Sequence, residues 1–272
     1  MRRSLVLMLI CLLVPDAPVF GAGAGAERPP VDAAIVLAVD VSSSVDETRF
    51  RLQQSGYAAA FRSGAVQTAI LGGPHHAIAV AYVQWAGSKA QHVAVTWTRV
   101  ADEAEADALA ARIEECARLD EGSTSISGAI SFAMALLDAV PYAPDRRIID
   151  VSGDGSNNSG RLAALARDEA VAVGITINGL PILAVEPELD SYYRDNVIGG
   201  SGAFLVPATD FTTFATAIAS KLVREVAGGP VAPVGQGFGG NGGWTDRPRI
   251  ATFGRNMLER RAPGQTRTLM EE

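Results

Sequence analysis

With 272 residues, 48% hydrophobic and 19% charged, and a net charge of −7, the chain has the make-up of a globular protein of one large or two small domains. The acidic balance argues against nucleic acid as a partner and leaves no polybasic patch for an anionic membrane surface. Met1-Arg2-Arg3 and the apolar run Leu5 to Val14 read as a secretory signal, with a small-residue cleavage site at Ala24-Gly25-Ala26. Residues 1–26 are therefore expected to be a signal peptide, with the mature protein periplasmic or secreted. The run is short for a membrane span, so no membrane insertion is expected after cleavage. Loss of Arg2, Arg3 and Asp16 with this segment leaves 21 basic against 29 acidic residues, a balance of −8. Cys116 is then the one remaining cysteine, so stability must come from the core rather than from an internal disulfide.

Ala33 to Val39 is an uninterrupted apolar run that predicts a strand over 33–40, buried on both faces. It leads directly into Asp40-Val41-Ser42-Ser43-Ser44. Open α/β sheets bind ligands at the C-terminal ends of their strands. Alternate residues of an extended segment point the same way, so Asp40, Ser42 and Ser44 offer three oxygens to one point. A helix follows at about 46–63, with Phe50, Tyr57 and Phe61 on one stripe. Ile78 to Trp85 reads as a second buried strand, and the alternating Gln91 to Thr96 as an edge strand hairpinned to it. A helix rich in Ala and charge covers about 101–118. Ile126, Ile130, Met134 and Leu137 mark the next helix, which stops at Pro141.

Ile148 to Val151 predicts a short strand running into Ser152-Gly153-Asp154-Gly155. After it come a helix near 160–169, a strand at about 171–178, a short helix at 188–197 and a short strand at 203–206. The last helix, about 210–226, carries Phe211, Phe214, Ala215, Ile218 and Leu222 at helical spacing. The alternation predicts a three-layer, doubly wound (Rossmann-like) α/β domain, its sheet mostly parallel with one antiparallel edge strand. Residues 227–243 contain eight Gly in seventeen positions and read as a flexible linker. Residues 244–272, with six Arg, four acids and few apolar anchors, are expected to stay disordered alone.

In the doubly wound order 3-2-1-4 the first and fourth strands are neighbours at the switch point, which puts Asp40 and Asp154 side by side. Thr124 reaches the same crevice from the loop Gly122-Ser123-Thr124-Ser125. An all-oxygen donor set of this kind suits a hard divalent cation such as Mg²⁺. The three segments, D-x-S-x-S at 40–44, G-S-T-S-I-S-G-A-I at 122–130 and S-G-D-G at 152–155, resemble the loops of the metal-ion-dependent adhesion site (MIDAS) of von Willebrand factor type A domains. Their order and spacing match as well, and the resemblance implies a domain spanning 31–226. The wording RFRLQQSGYAAAF, TSISGAI, RRIIDVSGDGSNNSG and GITINGLPI is similar to a family of secreted bacterial proteins catalogued only as a domain of unknown function.

The resemblance implies that Asp40, Ser42, Ser44, Thr124 and Asp154 are the metal ligands, for Mg²⁺ or Mn²⁺. It implies hydroxyls on the ion, one or both aspartates acting through water, and an incoming acidic group completing the octahedron. Two carboxylates at most balance the ion's charge, so it keeps an affinity for a further anion. The expected function is thus a secreted or periplasmic, non-enzymatic protein-binding module that engages an acidic residue of a protein partner through bound Mg²⁺. The alternative is an accessory subunit of an enzyme complex, holding a catalytic partner through the same metal site.

Plainer readings stand beside these. Asp40 and Ser42 to Ser44 suit the N-cap of the helix near 46, Ser125 the cap of the helix at Ile126, and Gly153-Asp154-Gly155 an ordinary turn. His75-His76 reads as a solvated loop with no third ligand in view, and Cys116 as a packed thiol. Tyr192-Tyr193 and Trp85 read as packing, and Asn157-Asn158 either line the site or cap the next helix.

Overall fold

A computed structural model describes residues 27–228. The signal peptide expected at 1–26, all but the first two residues of the linker expected at 227–243, and the tail expected at 244–272 lie outside the described residues. In chain order the elements are β1 (Pro30–Val31), β2 (Ala33–Asp40), α1 (Glu47–Arg62), α2 (Gly64–Leu71), β3 (Ile78–Trp85), β4 (Gln91–Val100), α3 (Glu103–Glu115) and α4 (Ile126–Asp138). They continue with β5 (Ala143–Pro144), β6 (Arg147–Gly153), α5 (Ala163–Ala172), β7 (Ile175–Pro181), α6 (Leu189–Asn196) and α7 (Phe214–Ala227).

The main sheet runs in the order β4-β3-β2-β6-β7, parallel throughout except for the β3–β4 pair. All eight residues of β2 are buried, because helices cover both faces. Ala33, Ile35, Leu37 and Val39 pack with α1, α2, α3 and α7. Ala34, Val36 and Ala38 pack with α4, α5 and α6. This division explains why the strand carries no polar residue until its last position. Asp40 pairs with Trp85 and Val39 with Ser152, so β2, β3 and β6 end together and deliver their following loops to one edge. The expected doubly wound architecture with one antiparallel edge strand is the one observed.

Several elements differ from the sequence reading: β4 runs on to Val100, α3 is shorter at both ends, α5 is shifted to Ala163–Ala172, and four further differences have local reasons. The helix expected over 46–63 is followed by a second one, α2. Ser63 closes α1 by donating its N–H to Ala60 O and opens α2 by accepting the Val66 N–H. The strand expected at 171–178 begins at Ile175, because Ala-Val-Ala-Val mimics strand alternation although Ala163, Ala166 and Ala170 give α5 its buried stripe. Gly174, at φ +77°, is the break between the two. The last helix starts at Phe214 rather than near 210, because the Asp210 carboxylate accepts the N–H groups of Thr212 (2.9 Å) and Thr213 (3.0 Å) and folds that stretch into a turn. The segment at 203–206 runs beside β7 through bonds of Gly179 to Phe204 and Val206, both 3.0 Å, rather than as a full strand.

A buried polar group joins α7 to the sheet. Lys221, fully buried, lies 2.6 Å from Asp150 on β6 and also pairs with Glu225, which accepts from Asn178 on β7 at 2.8 Å. At the opposite edge from the strand ends, β1 pairs with β5, and Arg146 donates to the last carbonyls of α7, Glu225 O and Val226 O. Among the described residues no helix is long and apolar enough to cross a membrane.

Candidate metal centre

The first loop is shaped by Asp40 itself. Its Oδ1 accepts the Ser42 N–H at 2.7 Å, which bends the chain sharply after β2. Ser42 Oγ then lies 3.2 Å from Ser44 Oγ, and Ser44 Oγ donates to Asp154 Oδ1 at 2.6 Å. The cap of α1 is Asp46, which accepts the Arg49 N–H at 2.8 Å. Asp40, Ser42 and Ser44 thus have no capping role, and the plainer reading of that motif is set aside.

The second loop is laced to the other two. Ser43 N–H donates to Gly122 O at 2.8 Å. Thr124 donates its N–H to Asn158 Oδ1 (2.8 Å) and accepts at its carbonyl from the N–H of Asn158 (2.9 Å) and Ser159 (3.1 Å). Asn157 Oδ1 accepts the Ser127 N–H at 3.0 Å. Both asparagines therefore tie the second loop to the third, and neither caps α5, whose N-cap Leu162 has no side-chain hydrogen bond. Ser125 does cap α4, accepting the Gly128 N–H at 3.2 Å.

The third loop leaves β6 through Gly153. A Cβ there would stand 2.8 Å from Asp40 Oδ2 and 3.1 Å from the Tyr193 hydroxyl, so glycine leaves the space that any side chain would fill. A Cβ on Gly155 would stand 3.8 Å from Thr124 Oγ1. The fold thus brings all five residues singled out in the sequence, Asp40, Ser42, Ser44, Thr124 and Asp154, to one edge of the sheet.

The electrostatics of this cluster are costly without a cation. Asp40 and Asp154 are fully buried, and Asp40 Oδ2, Asp154 Oδ2 and the Tyr193 hydroxyl make no hydrogen bond. Burial pushes the Asp40 carboxyl from 3.8 up to about 7, against the lowering effect of its bonds with Ser42. Burial also raises Asp154, opposed by the Ser44 hydroxyl and the Arg49 charge. Orphaned buried carboxylate oxygens are rare because each forfeits its hydration. The donors are hard oxygens, so the residues present fit a divalent cation of the Mg²⁺, Mn²⁺ or Ca²⁺ kind.

Three neighbours of this cluster, Arg49, Tyr193 and Glu186, escaped the sequence reading as site residues. Arg49 places Nη1 2.6 Å from Ser44 O and 3.5 Å from Asp154 Oδ2. Tyr193 was read as packing, and it is buried, but its hydroxyl faces the two aspartates. Glu186 accepts from the Ser156 N–H (3.0 Å) and hydroxyl (3.2 Å). Asn158 carried a partial signal through its closeness to Asp154. For the others, only tertiary placement reveals the role.

A second group of metal-capable side chains lies at the other edge of the sheet. Asp32, His75 and Asp145 place ligand atoms within 4.8 Å of one another. This corrects the view of His75 as lacking further ligands, since the starts of β2 and β6 bring the two aspartates to it. His76 instead bonds Leu71 O at 2.6 Å. Asp32 already accepts the N–H groups of His75 (2.9 Å) and Ala77 (3.3 Å), and His75 Nε2 lies 3.1 Å from Asp145. This group is therefore satisfied as a loop clasp. Cys116 is half-buried, donates to Ile113 O and accepts from Gln54, with its thiol pushed up by burial, as a packed thiol should be.

The sheet order, the helices on both faces and the three loops at one edge define a von Willebrand factor type A fold. The chain belongs to the family described as "Protein of unknown function (DUF1194)", whose model matches residues 30–230. No curated protein matches significantly. Among solved structures, it is similar to proximal thread matrix protein 1 from the mussel byssus, at 16% identity and TM-score 0.55, over 74% of this chain and 50% of that one. A structure of the same mussel protein with a zinc-occupied MIDAS motif matches at 14% identity and TM-score 0.53, over 74% and 50%. The pilus adhesin SpaC from Lactobacillus rhamnosus GG matches at 13% identity and TM-score 0.54, over 74% of this chain and 31% of that one. The chain spans half or less of the length of these proteins, and at such identities the likeness is one of fold.

Proposed function

We propose that this protein is a metal-dependent protein-binding module of the cell envelope or exterior, which holds Mg²⁺ or Mn²⁺ through Asp40, Ser42, Ser44, Thr124 and Asp154 and engages an acidic residue of a partner. The observation that carries the reading is the pair of buried carboxylate oxygens that accept no hydrogen bond, Asp40 Oδ2 and Asp154 Oδ2, beside three hydroxyl-bearing loop residues. A bound ion would neutralise both carboxylates, and the small octahedral shell of Mg²⁺ leaves a position for water or an incoming carboxylate. The residues of the chain orient that shell: Asn158 fixes the Thr124 loop and Ser44 bridges the first and third loops. The zinc-occupied MIDAS motif of the mussel protein, and the adhesin role in the name of SpaC, support a divalent ion and a binding rather than catalytic role. Secretion rests on the basic and apolar start of the chain.

Calorimetric titration with Mn²⁺ and Mg²⁺ tests the centre, and affinity capture from a periplasmic extract tests its use. One site is expected on the wild type and none on Asp154→Ala with a native circular dichroism spectrum. Capture is expected to be released by EDTA, restored by Mg²⁺ and weakened in Thr124→Ala. Metal binding unchanged in Asp154→Ala refutes the centre. Capture that survives both EDTA and Thr124→Ala refutes its role in binding.

A further inference from the structure

Two guanidinium groups clasp the first loop. Arg118 Nη2 donates to Val41 O (2.8 Å) and Ser42 O (3.0 Å), touching main chain alone. Arg49 does more: its Nη1 donates to Ser44 O at 2.6 Å and stands 3.5 Å from Asp154 Oδ2, an oxygen that makes no hydrogen bond. The guanidinium lies over the Phe211 ring, 5.2 Å from its centroid, and its side chain is 34% exposed. It is thus a packed, permanently charged group rather than a mobile surface arginine. The charge of Glu186, whose Oε1 is held by the N–H and hydroxyl of Ser156, also acts on Asp154, with the opposite sign to Arg49.

A cation fixed at this distance from Asp154 Oδ2 shares that oxygen with any ion the centre holds. We propose that Arg49 is a built-in competitor of the divalent ion, a positioned charge that keeps the affinity of the centre for metal low. The inference rests on the metal-binding reading above. Its consequence is that the ion is held poorly by the five protein ligands alone, and an anion from a partner adds a large share of the retention. Ion and partner then strengthen each other's binding by the same factor. Even at the dielectric of water, a unit charge opposing a divalent ion across about 6 Å changes affinity by about tenfold, ~1.4 kcal/mol.

The test uses the secreted chain and Mn²⁺ alone, titrated calorimetrically into the wild type, Arg49→Met, Arg49→Lys and Asp154→Ala. Methionine keeps an apolar stem against Phe211 and removes the charge, whereas lysine keeps the charge and loses the fork. Arg49→Met is expected to bind Mn²⁺ about tenfold more tightly and Arg49→Lys within about threefold of wild type. If Arg49→Met melts well below wild type, Arg49→Gln repeats the measurement with the same expectation. A neutral variant that folds and binds Mn²⁺ no more tightly than wild type overturns the inference while leaving the metal centre standing. A wild type that binds no Mn²⁺, or an Asp154→Ala that binds as well as wild type, overturns the centre itself and the inference with it.

Discussion

Asp40→Asn should make the metal-free protein more stable at alkaline pH while abolishing its response to metal. The wild-type carboxyl is fully buried, with Oδ2 unpartnered, and burial raises it from 3.8 to about 7. A group raised on folding contributes stability that is full below its unfolded value and is lost as pH rises through its folded value. For Asp40 that window is about pH 4 to 7, and the complete loss above it is about 4 kcal/mol. Asparagine keeps an oxygen for the Ser42 N–H and brings no charge to bury. With relaxation around the site, a gain of roughly 2 kcal/mol is expected for the variant at pH 8, a rise in Tm of about 4–8 °C for a domain of this size. Thermal melts of both proteins in EDTA and in excess Mg²⁺, at pH 5.5 and pH 8, provide the assay. Mg²⁺ should raise the wild-type Tm at pH 8, less so at pH 5.5 where a proton competes, and should leave the variant unchanged. Glu225, also raised to about 7, titrates in both proteins and cancels in the comparison. A variant less stable than wild type at pH 8 in EDTA would refute the account of Asp40 as a buried charge awaiting a cation.

Lys221→Met should cost about 3–5 kcal/mol at neutral pH, because it leaves Asp150 and Glu225 buried against each other without their cation, and denaturant unfolding measures it. Part of that loss should return at pH 5, where the raised Glu225 carboxyl is protonated, and in the double variant with Glu225→Gln. Asn158→Ala removes the acceptor of the Thr124 N–H, so Mn²⁺ affinity should fall several-fold while stability drops by only about 1 kcal/mol.

The fold was legible because its signals are local. The run from Ala33 to Val39 is apolar on both parities, which only a strand covered on both faces requires, and Asp40 ends it at the edge where loops gather. The five candidate ligands were legible for a different reason: three short loops of oxygen-bearing residues follow or precede core elements in a fixed order. What the sequence concealed is set by side chains that cross between elements. Arg49 belongs by periodicity to the solvent side of a helix start, yet it turns back onto Ser44 and Asp154. Lys221 and Glu225 sit within an otherwise apolar stripe of α7, and only the partner strand shows that Lys221 meets Asp150. Asp32 and Asp145 lie 113 positions apart, and nothing local pairs them with His75.

The pairing of β1 with β5, and the hold of Arg146 on the last carbonyls of α7, bring the chain into and out of the described domain on one side. The candidate metal centre opens on the other. The domain is therefore built like a tool with its handle opposite its working end. Pro30 and Gly228 themselves thus lie away from the crevice. An immobilising tag or fusion joined directly at Pro30 or Gly228 should accordingly leave approach to the ion unobstructed, which suits the domain to surface-based measurements of what it binds.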